Sequence, residues 1–162
     1  MSPTTPSHQG VDPSTSGNII RAAFAVESVL TVSVGAYFVF FPRHYLLRMM
    51  GAAAAQVTTT ALQMTQQYGA ANILVGAGIG LFIPNTRLAI ESRQILYRTV
   101  LVFELAYIPL LVWQAFMMEG GIPKSSLLAS AGQFVPFVLW RAFALCCKPK
   151  WFGRYQERKK VE

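Results

Sequence analysis

Four apolar stretches, each close to the about 20 residues a helix needs to cross a bilayer, constrain this chain more than any other feature. They cover roughly 19–41, 61–83, 97–118 and 125–147. Pro42, Pro84, the turn "EGGIP" and Lys148 with Pro149 end them in order. The second is polar where it begins, with Gln63, Gln66 and Gln67. The expected fold class is all-α: an integral membrane four-helix bundle with both termini cytosolic.

The composition agrees. Of 162 residues, 53% are hydrophobic and 13% charged, against a usual charged share of about 25%. That length suits one domain: a polar tail at 1–18, the bundle at 19–147 and a basic cytosolic tail at 148–162. The first tail, rich in Ser, Thr, Pro and Gly, lacks the apolar run of a secretory signal and reads as disordered. No internal repeat and no glycosylation sequon is visible.

The net charge of +7 need not mean nucleic acid, because basic residues flank membrane spans on the cytosolic side. With four crossings, ten basic residues lie on the side of the termini. Only Arg43, Arg48 and Lys124 lie on the other, and Arg141 falls inside the fourth stretch. The imbalance places both termini in the cytosol. "RHYLLRMMG", after Pro42, reads either as a short amphipathic turn along the opposite interface or as a loop with basic anchors.

Several chemistries are set aside. His8 and His44 lie on opposite sides of the expected membrane, so no His/Cys metal site and no Ser-His-Asp or Cys-His set assembles. The glycine run "NILVGAGIG" sits within the bilayer and is no phosphate loop. No haem or flavin motif is present, and no cofactor or metal is expected. Cys146 and Cys147 offer no disulfide framework; they are either inert thiols or palmitoylation sites.

What remains is a small set of polar residues inside apolar segments. Gly76 and Gly80 have the small-residue spacing that lets helices approach closely. Asn72, one turn earlier on the same face, either adds an interhelical hydrogen bond or contacts a substrate. At 1.5 Å per residue, Glu27 lies about 12 Å from the cytosolic end of its stretch, Glu104 about 10 Å and Arg141 about 9 Å. Ionisable groups at such depth face inward and pair, and an arginine fork between two carboxylates is a natural arrangement.

Two carboxylates around one guanidinium leave an excess negative charge, so one of them can keep its proton. A carboxylic acid beside a carboxylate suits general acid/base chemistry on a lipophilic substrate. The alternatives are that the trio simply holds the bundle together, or that Arg141 snorkels to the cytosol. Pro109 and Pro136, at similar depth in consecutive stretches, free the carbonyls of Leu105 and Gly132. Two kinks at one level open a gap that Asn72 and Tyr107 could line, or leave bowed helices that repack without a cavity.

The last four residues, "KKVE", resemble the dilysine signal that returns membrane proteins to the endoplasmic reticulum; lipid-facing charge is the alternative. "ESVLTVSVGAYFVFFPRHYLL", "QQYGAANILVGAGIGLFIPNTRLAIESR" and "FELAYIPLLVWQAF" together resemble an uncharacterised family of small four-span membrane proteins of filamentous fungi. The resemblance runs from about Arg21 to Phe116. It implies a four-helix bundle and brings no catalytic motif. It implies no established activity, although some small integral membrane proteins of fungi act in secondary-metabolite pathways as cyclases, isomerases or oxygenases.

The expected protein sits in the endoplasmic reticulum membrane and serves a lipophilic small-molecule pathway. If it is an enzyme, Glu104 and Glu27 form the acid/base pair, Arg141 stabilises charge, and Asn72 and Tyr107 orient the substrate. The alternative is a non-catalytic bundle that scaffolds a partner enzyme or shapes the membrane; the expected partners are the lipid bilayer, a lipophilic small molecule, and a membrane enzyme or further copies of the chain in a homo-oligomer. A small transporter is weaker, because four spans without a repeat need oligomerisation to make a pathway.

Overall fold

Threonine and proline set most helix boundaries in the computed structural model, which describes residues 10–11, 16–51, 55 and 57–156. Helix α1 (Asn18–Phe40) stops where Pro42 forces Phe41 out of helical backbone, and Pro42 then opens the short helix α2 (Pro42–Met50). Gly51, with φ of 52°, ends α2. Thr58 caps helix α3 (Thr59–Gly80) by accepting from the Ala61 amide at 3.2 Å. Thr86 does the same for helix α4 (Arg87–Met117) through Ala89. Helix α5 (Lys124–Cys147) runs into a 3-10 turn at Pro149–Phe152. Two-residue strands β1 (Gly10–Val11) and β2 (Tyr155–Gln156) pair antiparallel, joining the segment before α1 to the segment after α5.

Among the described residues, three helices and not four are long and apolar enough to cross a membrane: Asn18–Phe40, Arg87–Met117 and Lys124–Cys147. Helix α3 has the length, with 22 residues, but Gln63, Gln66, Gln67 and Asn72 dilute its apolar character. Helix α4 also begins ten residues before the expected 97, because Thr86 caps it and an Arg87–Glu91 ion pair at 2.8 Å supports its first turns. The stretch after Pro42 is a true helix, α2.

The four long helices form two antiparallel pairs. Along α1, Arg21, Ser28 and Gly35 face Ile83, Gly76 and Gly69, so seven residues up one helix match seven down the other. That is a heptad seam. The backbones meet at Gly35 and Gly69, where a Cβ on either glycine would stand 2.7 Å from the carbonyl oxygen of the other. Ser28 Oγ donates to Gly76 O at 2.7 Å and Gln66 Nε2 to Val39 O at 3.1 Å. Helices α4 and α5 pair through Leu111, Leu127 and Ala131 at one end and Tyr97 with Trp140 at the other.

Between the two pairs, backbones seldom come within 8 Å of each other. Side chains bridge that junction instead. Its core near the termini holds Ile20, Phe24, Ile79, Tyr97, Ala144 and Phe152. Outward faces stay apolar on every long helix, for example Val29, Leu74, Val102 and Leu139, each more than 60% exposed.

Candidate functional site

Each of α1, α4 and α5 turns one stripe of residues inward, and each stripe carries a charged side chain at the same level of the bundle; on α4 a second, Arg93, lies nearer the start of the helix. On α1 the stripe is Ile20, Phe24, Glu27; on α4 it includes Tyr97, Glu104 and Leu111; on α5 it includes Leu127, Ala131, Arg141 and Ala144. The helical repeat therefore carries Glu27, Glu104 and Arg141 to one place. Arg141 Nη2 donates to Glu27 Oε2 at 2.8 Å, and Arg141 Nη1 donates to Glu104 Oε1. All three are buried, with 8%, 3% and 4% of their surface exposed for Glu27, Glu104 and Arg141. Arg141 does not snorkel.

Aromatic rings enclose the guanidinium. Its carbon lies 5.5 Å from the Tyr97 ring centroid and 5.9 Å from that of Phe137, within reach of a cation–π attraction. Tyr97 also lies between the charged layer and the termini. Its hydroxyl accepts from Trp140 Nε1 at 2.9 Å and donates toward Glu27 Oε1 at 3.4 Å. Two buried atoms in the layer find no hydrogen-bond partner: Glu104 Oε2 and Arg141 Nε.

The structure does not join the other two expected site residues to this layer. Asn72 Nδ2 donates to the Tyr68 carbonyl of its own helix at 3.1 Å. It neither crosses to another helix nor reaches the trio. On that face Gly76 and Gly80 both meet α1, where an added Cβ would stand 2.8 Å from Val32 Cγ2 and 3.1 Å from Ser28 Oγ, respectively, and Gly69 makes a further close approach at Gly35. Tyr107 stacks on Phe103 at 5.3 Å and meets Phe134 edge-on at 5.4 Å. It belongs to the opposite end of the junction, where Phe38 and Tyr45 lie 4.2 Å apart and Tyr37 bonds His44 at 2.6 Å. Burial, with the nearby Tyr68 and Tyr37 phenols, holds Tyr45 above its ordinary phenol value. Pro109 and Pro136 are exposed within unbroken helices.

Three further residues that bridge or close this end of the bundle were not singled out from the sequence. Tyr97 precedes Glu104 by two helical turns on the same face, which is the signal that could have found it. Trp140 adjoins Arg141. Arg93 is fully buried without a carboxylate: it donates to the carbonyls of Phe82, Ile83 and Pro84, to Asn85 Oδ1 and, at 3.2 Å, to the Phe152 carbonyl. It closes the turn between α3 and α4 and ties the C-terminal segment to it, so it is not a lipid-facing cation as the sidedness count assumed.

Cys146 and Cys147 are free and exposed. Among the described residues no group of three His, Cys, Asp or Glu side chains could hold a metal ion. The "KKVE" motif lies outside the described residues, as does most of the polar tail at 1–18. No protein family, curated protein or solved structure matches this chain.

Proposed function

We propose that this chain is a multi-pass membrane protein whose buried Glu27–Arg141–Glu104 layer performs proton transfer on a lipophilic small molecule, as an isomerase or cyclase would. The observation that carries the reading is the buried, unpartnered Glu104 Oε2, in a layer where Arg141 Nε is unpartnered too. Leaving a buried polar atom unpaired costs about 1–3 kcal/mol. A purely structural clasp gains nothing from that cost, whereas an acid/base carboxyl needs one oxygen free for its substrate. Glu104 is the proton-transferring group, Glu27 the second carboxyl and Arg141 the holder of both.

Helix α3 makes the fourth crossing in this reading. The β1–β2 pairing supports it, because segments that flank α1 and α5 can meet only after an even number of passages. On α3 the Gln66 amide is satisfied by the Val39 carbonyl of α1 and the Asn72 amide by the Tyr68 carbonyl, which lowers the cost of placing them in lipid. Cytosolic termini follow from the distribution of basic residues, and residence in the endoplasmic reticulum from "KKVE". The resemblance to small fungal membrane proteins points to a secondary-metabolite pathway. Lys159→Ser with Lys160→Ser, on an N-terminally tagged protein, should release it to later membranes.

A second reading has an observation of its own. Direct pairing of Arg141 with both carboxylates, all nearly sealed from solvent, is also how a scaffold for a partner enzyme would clasp its helices. Glu104→Gln separates the two. Cells lacking the protein should accumulate an intermediate, and the Glu104→Gln protein, normal in amount and location, should fail to clear it. Normal clearance by that variant overturns the catalytic role and leaves the scaffold.

A further inference from the structure

The C-terminal turn supplies the core with a side chain that no helix holds. Phe152 is 2% exposed and sits among Ile20, Phe24, Ile79, Tyr97 and Ala144, meeting the Tyr97 ring edge-on at 5.3 Å. It hangs from the short 3-10 turn after Pro149. The outer side of that segment is exposed and basic, with Lys148, Lys150 and Arg154. Among the described residues the strap's backbone is tied to the helices by one bond, from Arg93 Nη1 to the Phe152 carbonyl at 3.2 Å, and beyond it Tyr155 and Gln156 pair with Val11 and Gly10.

The socket that receives Phe152 has the make-up of a small-molecule site. Its walls come from α1, α3, α4 and α5 and are apolar. At its inner end the Tyr97 hydroxyl, bonded to Trp140 and directed at Glu27, supplies the polar groups. Apolar walls with a few convergent polar groups at one end are what fix a lipophilic ligand in one orientation. The helix pairs stand apart at this junction, so side chains fill the space and can be exchanged for others without moving a helix. Removing Phe152 leads from the end of the molecule that holds the termini to Glu27, the near edge of the charged layer.

We infer that the Phe152 socket is a binding site for a lipophilic molecule bearing one hydroxyl, and that the C-terminal strap is a displaceable plug competing for it. The ligand's apolar end takes the place of the Phe152 ring, and its hydroxyl meets Tyr97 and Glu27. This rests on the reading of the charged layer as a site for a lipophilic substrate. It is tested by binding, independently of any product.

The probe is 1-naphthol, a flat apolar ring with one hydroxyl, added to the full-length protein in detergent micelles. Hydrogen exchange of the amides of residues 149–156 should speed up at least threefold with saturating 1-naphthol, while the Gly35–Gly69 seam exchanges as before. Phe152→Ala should bind 1-naphthol at least tenfold more tightly than wild type, read by equilibrium dialysis against empty micelles. 1-Methylnaphthalene, which has the ring without the hydroxyl, should bind Phe152→Ala more weakly than 1-naphthol. Unchanged exchange in the strap, or acceleration spread equally over the seam, overturns the proposal. Equal affinity of wild type and Phe152→Ala overturns it too. If Phe152→Ala does not fold, the wild-type exchange measurement decides. Naphthol binding with a fully active Glu104→Gln protein would keep the site and remove the catalytic role.

Discussion

The α1–α3 seam and the junction between the two helix pairs solve the same problem with opposite means. At the seam, glycines bring two backbones so close that a single Cβ would collide with a carbonyl oxygen. Attraction there comes from many small contacts plus a few hydrogen bonds, and specificity comes from shape. At the junction the backbones stand apart, and Arg141 and Tyr97 reach across to Glu27, while Glu104 and Trp140 hold those two side chains from within the α4–α5 pair. Shape tolerates no added atom; charge tolerates no missing partner. A protein that must hold rigid on one side and admit a ligand on the other would divide its helices in this way.

The comparison can be broken most severely at Arg141. Arg141→Leu leaves two buried carboxylates without their cation, a change expected to cost about 3–5 kcal/mol and to remove most folded protein, measured by size-exclusion chromatography in detergent. Adding Glu104→Gln should restore part of the yield, since one uncompensated charge is then gone. No recovery in the double variant would mean the trio is not an electrostatic unit.

A smaller loss is expected at the seam. Gly35→Val places its Cβ against the Gly69 carbonyl at 2.7 Å and should cost about 3 kcal/mol as overpacking, read as a lowered apparent melting temperature. Charge substitutions elsewhere should not rescue it. Ser28→Ala, which removes the 2.7 Å bond to Gly76 O, should cost only about 0.6 kcal/mol, the average for hydrogen bonds between membrane helices. Gly78→Ala is the control. Its Cβ would meet nothing within 4 Å, so the melting temperature should hold or rise slightly, given the better helix propensity of alanine. A large loss at Gly78 would show that another surface covers that face.

Sequence reasoning reached the junction better than the seam, for a physical reason. An ionisable residue in an apolar run announces itself, and a rise of 1.5 Å per residue converts its position to a depth; hence Glu27, Glu104 and Arg141 could be brought to one layer before any coordinates. The ends of α1 and α5 were legible for similar reasons, since Pro42 and Pro149 mark them. Glycines are less informative. The spacing of Gly76 and Gly80 was legible, but only register, which depends on the partner helix, reveals that Gly35 and Gly69 make the closest approach. Asn72 was misjudged because a polar side chain can satisfy itself on its own helix, as it does at the Tyr68 carbonyl. Arg93 was counted as a free charge because nothing local reveals that carbonyls far along the chain, such as that of Phe152, will surround it.

The heptad match along α1 and α3 also decides where this chain can change length. Residues that face each other there are fixed by contact, and the connection through α2 has no part in setting which meets which. Insertions between Gly51 and Val57 should therefore be absorbed without consequence for either helix. A one-residue deletion inside α1 or α3 is another matter. It turns everything beyond it by about 100° around the helix axis, swinging the remaining small residues off the seam and bulky ones onto it. Among natural or laboratory variants of this chain, gaps should collect in that connection and be missing from the two helices it joins.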